Sequence, residues 1–208
     1  MDITNAAIER YMQQLLPERD GVLKEMEALA AERNIPIIGP VVGRIFYQLI
    51  RLIKARRIFE MGSAIGYSTV WAARAAGEGS TVYYTDGNPA NAERAEDYLR
   101  RAGVRDRVQL LTGDALELLD ATPGEFDIIF CDVDKHQYPA AFHKAVPRIR
   151  KGGLLLADNV LWHGRVAQPP EDDATRGILE FNRLIYSSKE LFPTILPARD
   201  GFAVCEKL

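Results

Sequence analysis

The spacing of apolar residues changes near Arg57. Before it, hydrophobic positions recur every three or four residues, as one face of a helix requires. Ile8, Tyr11, Met12, Leu15 and Leu16 form one stripe, and Val22, Met26, Leu29 and Ala30 a second. Asn34-Ile35-Pro36 interrupts the rhythm, and a third helix is expected over about Val41 to Ile53. Its apolar face includes Val42, Ile45, Phe46, Leu49, Ile50 and Leu52, broad enough to need cover from a sheet or a partner.

After Arg57 short apolar runs alternate with helical stretches. Strands are expected at Ile58 to Met61, Thr81 to Thr85, Val108 to Leu111, Phe126 to Cys131 and Leu154 to Ala157. Helices fall between them at Tyr67 to Ala76, Pro89 to Ala102, a short one opened by Asp114 with Glu117, and Tyr138 to Ile149. Gly103 suits the position just past the second of these. A loop from Trp162 precedes a helix over Ala174 to Ser188, and two last strands, Phe192 to Leu196 and Gly201 to Cys205, suit an antiparallel hairpin. The runs at Ile58, Ile128 and Leu154 are continuously apolar, so these strands should be parallel and covered on both faces. The pattern predicts an α/β doubly wound sheet, mostly parallel and seven-stranded, with helices on both faces. The chain reads as a single domain over 1–208, with a helical part at 1–54 and the sheet-forming core at 55–208.

Composition narrows the class. The 208 residues are 47% hydrophobic with a formal net charge of −3, which fits a globular domain and gives no overall attraction to nucleic acid or membrane. Basic runs such as Arg148-Ile149-Arg150-Lys151 fall at element boundaries and read as solvated surface. The two cysteines, Cys131 and Cys205, lie in apolar strands and read as reduced core residues. No apolar run approaches a membrane span, and the N-terminus carries polar residues where a signal peptide has an apolar block, so a cytoplasmic protein is expected.

The candidate chemistry lies where the strands end. In open parallel sheets ligands bind beyond the carboxyl ends of the strands. Those ends read Glu60-Met61-Gly62 with Gly66-Tyr67-Ser68, then Asp86, Gly113-Asp114-Ala115, Asp132-Val133-Asp134-Lys135 and Asp158-Asn159. Gly62 and Gly66 permit a tight turn against a ligand, and Asp86 can accept hydrogen bonds from ribose hydroxyls, which together suggest an adenosine-type cofactor. The glycine spacing is not that of the dinucleotide fingerprint, and Glu60 beside the loop would repel a pyrophosphate. S-adenosylmethionine, with an ammonium and a sulfonium group, fits better. Asp132, Asp158 and Asn159 offer hard oxygen ligands for Mg²⁺, Ca²⁺ or Mn²⁺ from two neighbouring strand ends. The competing reading of Asp132 and Asp134 is a helix cap bound to water.

These motifs occur in the order of, and closely resemble, the cation-dependent O-methyltransferases of the caffeoyl-CoA and catechol type, especially their bacterial branch. The resemblance runs from about residue 35 to the end. It includes Tyr138, the Asp158-Asn159-Val160-Leu161-Trp162 run with Gly164, and the tail Asp200-Gly201-Phe202-Ala203-Val204. It implies a Rossmann-like class I methyltransferase fold, extra N-terminal helices that shape the acceptor site, and a homodimer. Carried over, Glu60, Gly62 and Ser68 line the methionine end of the cofactor, Asp86 holds its ribose, Ala115 lies against adenine and Asp134 stands near the cofactor. Asp132, Asp158 and Asn159 match the metal ligands, Lys135 a general base and His163 a substrate contact. Val133 stands where the family often has Ala, and Gly39 to Arg44 lacks the acidic and glutamine residues common before the third helix.

The expected activity is divalent-cation-dependent methyl transfer to a hydroxyl of a catechol-like or other small aromatic acceptor, with magnesium the favoured ion. The rivals are a nicotinamide-dependent Rossmann oxidoreductase, disfavoured by the loop spacing, and a non-catalytic S-adenosylmethionine-binding protein. His136 and His143 read as surface groups, Trp71 as core, and Trp162 as either a pocket wall or a pin for its loop.

Overall fold

The computed structural model describes residue 3 and residues 5–208. Three helices come first: α1 (Ala6–Gln14), α2 (Gly21–Arg33) and α3 (Gly39–Leu52). Asn5 caps α1 and Asp20 caps α2, each side chain accepting a backbone N–H from the first turn. The sheet then alternates with helices: β1 (Arg57–Met61), α4 (Tyr67–Ala76), β2 (Thr81–Asp86), α5 (Pro89–Arg101), β3 (Val108–Thr112), α6 (Ala115–Ala121), β4 (Phe126–Cys131), α7 (Tyr138–Ala145) and β5 (Ile149–Ala157). The chain closes with α8 (Asp173–Ser187), β6 (Leu191–Leu196) and β7 (Phe202–Lys207).

The seven strands run in the order β3-β2-β1-β4-β5-β7-β6. Pairs within β3-β2-β1-β4-β5 are parallel, and β7 pairs antiparallel with both β5 and β6. The mostly parallel sheet with an antiparallel C-terminal hairpin is therefore present. The continuously apolar strands are explained by two cores. Ile58, Ile128, Phe130, Leu154 and Leu156 face one core with α2, α3, α4 and α5. The alternate residues Phe59, Ile129, Cys131, Leu155 and Ala157 face a second core with α6, α7 and α8. Nearly all of α4 is buried, and Trp71 sits there as core.

One expectation changes. The helix expected over Tyr138 to Ile149 ends at Ala145, passes through a 3₁₀ turn at Val146–Arg148, and gives way to β5 at Ile149. Pro147 has no N–H to continue the helical ladder. Ile149 instead pairs with Phe126, and Arg150 reaches Asp127 at 2.5 Å, so a run that reads as surface charge is the first part of a strand. Of the two covers open to the apolar face of α3, the chain's own core supplies the first: Val42, Phe46 and Ile50 are buried within it. Exposed large apolar residues include Leu52 at the end of α3, Tyr186, Phe192 and Leu208, with Ile8, Tyr11 and Leu15 grouped on or beside α1. Among the described residues no helix is long and apolar enough to cross a membrane.

Candidate active site

Strand register assembles the site. Met61, Cys131 and Ala157 are paired across β1, β4 and β5, so the next residues, Gly62, Asp132 and Asp158, stand side by side at the sheet edge. Backbone bonds continue one step past the strands, from Asp132 N to Met61 O at 2.8 Å and from Asp158 N to Cys131 O at 3.2 Å. Gly62 has φ 87°, and a Cβ there would lie 2.5 Å from Asp132 O, so the two strand tips can approach only with glycine at this position.

A cavity of about 830 Å³ opens above these tips. Gly62, Ser63, Ala64 and Ser68 line it from the first loop, Asp86 from β2, and Asp114 and Ala115 from the start of α6. Asp132, Asp134, Lys135, Asn159, Trp162 and His163 line the other end. Ile35, Pro36, Ile37 and Ile38 form an apolar wall from the connection between α2 and α3. Trp162 thus walls the pocket, and His136 also reaches it rather than lying only on the surface.

Glu60 and Asp158 lie beneath this lining. Glu60 is fully buried, and its Oε2 accepts from Thr69 Oγ1 at 2.5 Å and Ser63 Oγ at 3.4 Å while Oε1 has no partner. Burial pushes its carboxyl up to about 7, against the hydroxyls and with the help of the Asp132 charge. Asp86 Oδ1 accepts from Asn88 N at 2.8 Å and from Asn91 Nδ2 at 3.1 Å, which fixes the carboxylate at the tip of β2.

The Asp132–Asp158 end is a compact charge cluster. Lys135 Nζ donates to Asp132 Oδ1 at 2.7 Å, to Val133 O at 3.3 Å and to Tyr138 OH at 3.1 Å. Tyr138 in turn donates to Asp158 O at 2.8 Å. Desolvation raises the pKa of both aspartates, and for Asp158 the adjacent Asp132 charge raises it further. Asp158 Oδ1 is buried with no hydrogen-bond partner.

Among the described residues no group of three or more His, Cys, Asp or Glu is placed to hold a metal. The donor set in question is two aspartates and the Asn159 amide. It suits a hard divalent cation, because such an ion would satisfy the orphaned Asp158 oxygen and the two adjacent negative charges.

Two contributors carry no site role in the sequence reading, though Asp200 opens the tail motif Asp200-Gly201-Phe202-Ala203-Val204. Arg199, in the turn between β6 and β7, lines the cavity and reaches Asp158 Oδ2 at 3.5 Å. Asp200, buried in the same turn, accepts from His163 N at 2.5 Å. No periodicity signals either residue; the one hint is their turn setting, Pro197-Ala198-Arg199-Asp200-Gly201.

A parallel sheet of this order, with a ligand-sized cavity beyond β1, β2, β4 and β5, is the architecture of the class I methyltransferases. Comparison with known proteins narrows this. The O-methyltransferase family profile matches residues 15–208. The chain is 32% identical over 197 residues to the catechol O-methyltransferase of Niastella koreensis, covering 91% of this chain and 89% of that protein. It is 29% identical over 206 residues to caffeoyl-CoA O-methyltransferase 1 of Eucalyptus globulus, covering 92% and 84% respectively. The crystal structure of an O-methyltransferase from Bacillus cereus in complex with SAH superposes with a TM-score of 0.88 at 31% identity, covering 97% of each chain. The chain belongs to the O-methyltransferase family.

Proposed function

We propose that this enzyme transfers the methyl group of S-adenosylmethionine to a hydroxyl of a small catechol-like acceptor, with a divalent cation, magnesium foremost, held by Asp132, Asp158 and Asn159. The observation that carries the reading is the side-by-side placement of Asp132, which lines the cavity, and Asp158, buried just beneath it, with the Gly62–Ser68 loop and Asp86 lining the same cavity. The cofactor end is assigned to that loop, with Asp86 for the ribose and Ala115 for the adenine. The Glu60 carboxyl lies below the loop, and the acceptor end is assigned to Lys135, Trp162 and His163.

When bound, the cation supplies Lewis acidity that lowers the pKa of an acceptor hydroxyl, and S-adenosylmethionine supplies the methyl group on a sulfonium centre. The protein's own residues do the rest. Lys135 stands 2.7 Å from Asp132; once a bound cation replaced it as the partner of that carboxylate, its Nζ could give up a proton to solvent and, as the neutral amine, would take the hydroxyl proton. Tyr138 holds the lysine in place through its hydroxyl at 3.1 Å. Trp162 and the Ile35–Ile38 wall exclude water and fix the aromatic ring, so that oxygen, methyl and sulfur are held in line. Transfer would form the carbon–oxygen bond as the carbon–sulfur bond breaks, with the electron pair staying on sulfur.

We further propose a homodimer working in the cytoplasm. Support for the dimer is the exposed apolar surface of α1. Support for a reducing compartment is the pair of free, buried cysteines.

The test is an acceptor panel with labelled S-adenosylmethionine, with and without chelator. Methyl transfer to catechols that chelator abolishes and Mg²⁺ restores is expected. Asp158→Ala should lower turnover by about a hundredfold or more while leaving cofactor affinity nearly unchanged. Transfer unaffected by chelator would remove the cation from the scheme. Tight cofactor binding with no transfer to any acceptor would favour a binding protein.

A further inference from the structure

The two cations that face the aspartate pair are held very differently. The Lys135 ammonium, with three donors, has three partners, and its side chain is 12% exposed. The Arg199 guanidinium has five donors. Among the described residues its one hydrogen bond is the long contact to Asp158 Oδ2, and its side chain is 38% exposed. Other arginines that pack against the fold are far better satisfied: Arg148 binds the carbonyls of Leu119, Thr122 and Gly124.

Arg199 is nonetheless held over Asp158 by its backbone. Its φ is 53°, in the left-handed region that disfavours residues with a side chain. The turn that carries it is latched to the Asp158 loop by Val160 N to Gly201 O at 3.1 Å, Leu161 N to Asp200 O at 3.0 Å and His163 N to Asp200 Oδ1. The pairing with Asp158 is thus loose in its side-chain geometry and fixed in its location, and the half-exposed arginine has a path to solvent that Lys135 lacks.

We propose that Arg199 is a resident cation for Asp158, one that a divalent ion must displace or repel, so that this arginine sets the site's ion affinity below what Asp132, Asp158 and Asn159 would otherwise give. The inference rests on the cation reading above. Like charges converging on one nearly buried carboxylate oppose each other strongly, because little water lies between to screen them. Removing the guanidinium removes that opposition and leaves Asp158 in need of the ion.

The experiment is Mn²⁺ titration by calorimetry on the full chain, for wild type, Arg199→Gly, Arg199→Gln and Arg199→Lys, with thermal unfolding in Mn²⁺ and in chelator. Glycine accepts the positive φ without strain, and glutamine keeps a side chain without the charge, so one neutral variant remains if the other folds poorly. The neutral variants should bind Mn²⁺ about tenfold tighter or more, and Mn²⁺ should raise their unfolding midpoint further than that of wild type. Arg199→Lys should stay near wild type. Unchanged or weaker Mn²⁺ binding in the neutral variants, with wild-type binding still lost in Asp158→Asn, would overturn the role of Arg199 alone. Mn²⁺ binding by neither wild type nor variants would overturn both this role and the cation reading. Binding by the neutral variants but not by wild type would support it most directly.

Discussion

Glu60 has no exposed surface, and its acidity is linked to stability through that burial. Its carboxyl, raised to about 7 by desolvation, keeps a proton in the folded chain over a range where the unfolded chain has released it. The sign follows: below the ordinary carboxylate range both states are protonated and there is no penalty. As pH rises from there to about 7 the native state loses stability relative to a neutral residue, by an upper limit of about 3 kcal/mol. Glu60→Gln should therefore unfold at a higher temperature than wild type at pH 8 and at nearly the same temperature at pH 4.5. Equal midpoints at pH 8 would mean that the Glu60 charge is already compensated within the folded chain. Glu60 and Asp132 are legible in the sequence because each is a carboxylate terminating or adjoining an apolar run. Arg199 is not, since its place depends on a turn latched to a loop distant in the chain.

At the level of elements, the β1–α4 loop sets how closely the strand tips approach. Gly62 has φ 87° and would place a Cβ 2.5 Å from Asp132 O, a backbone atom that cannot swing away. Gly66 has φ 83°, and its Cβ would meet Ala95 Cβ at 3.0 Å. Both substitutions to alanine strain the backbone, but the first also separates β1 from β4. Gly62→Ala should cost about 3 kcal/mol or more in urea denaturation, and Gly66→Ala about 1–2 kcal/mol. A Gly62→Ala chain as stable as Gly66→Ala would show that the tips tolerate separation. Element boundaries were legible where capping or glycine chemistry marks them, as at Tyr67, Pro89 and Ala115. They were not legible at Ile149, where charged residues interleave with the start of β5 and only the pairing with Phe126 and Asp127 shows which way the run folds.

For the whole molecule, the sheet is covered on both faces by the chain itself, and one group of exposed apolar residues lines up along the N-terminal helix. Ile8, Tyr11 and Leu15 are each more than half exposed, and α1 buries none of its residues. A surface of this kind is expected to associate. Sedimentation should show a dimer, and the pair Ile8→Asp with Leu15→Asp should shift it toward monomer while the far-ultraviolet circular dichroism is retained. A wild-type monomer at micromolar concentration would remove the dimer from the scheme. The α/β class and the strand order near the site followed from apolar runs and topology rules. The uncovered face of α1 did not, because a stripe at helix spacing looks the same whether it meets its own core or another molecule.

The latch between the 197–201 turn and the Asp158–His163 loop also bears on the rim of the cavity. That side is tied down by three bonds, two between backbone groups and one to the Asp200 carboxylate. On the opposite rim, Ile35 to Ile38 joins two helices; Ile35 N donates to Ala30 O at 3.0 Å, Ile38 is buried, and Ile35 and Ile37 pack against the first core. The rim of the cavity is therefore firm on both sides, hydrogen-bonded at the latch and packed on the core at the apolar connection.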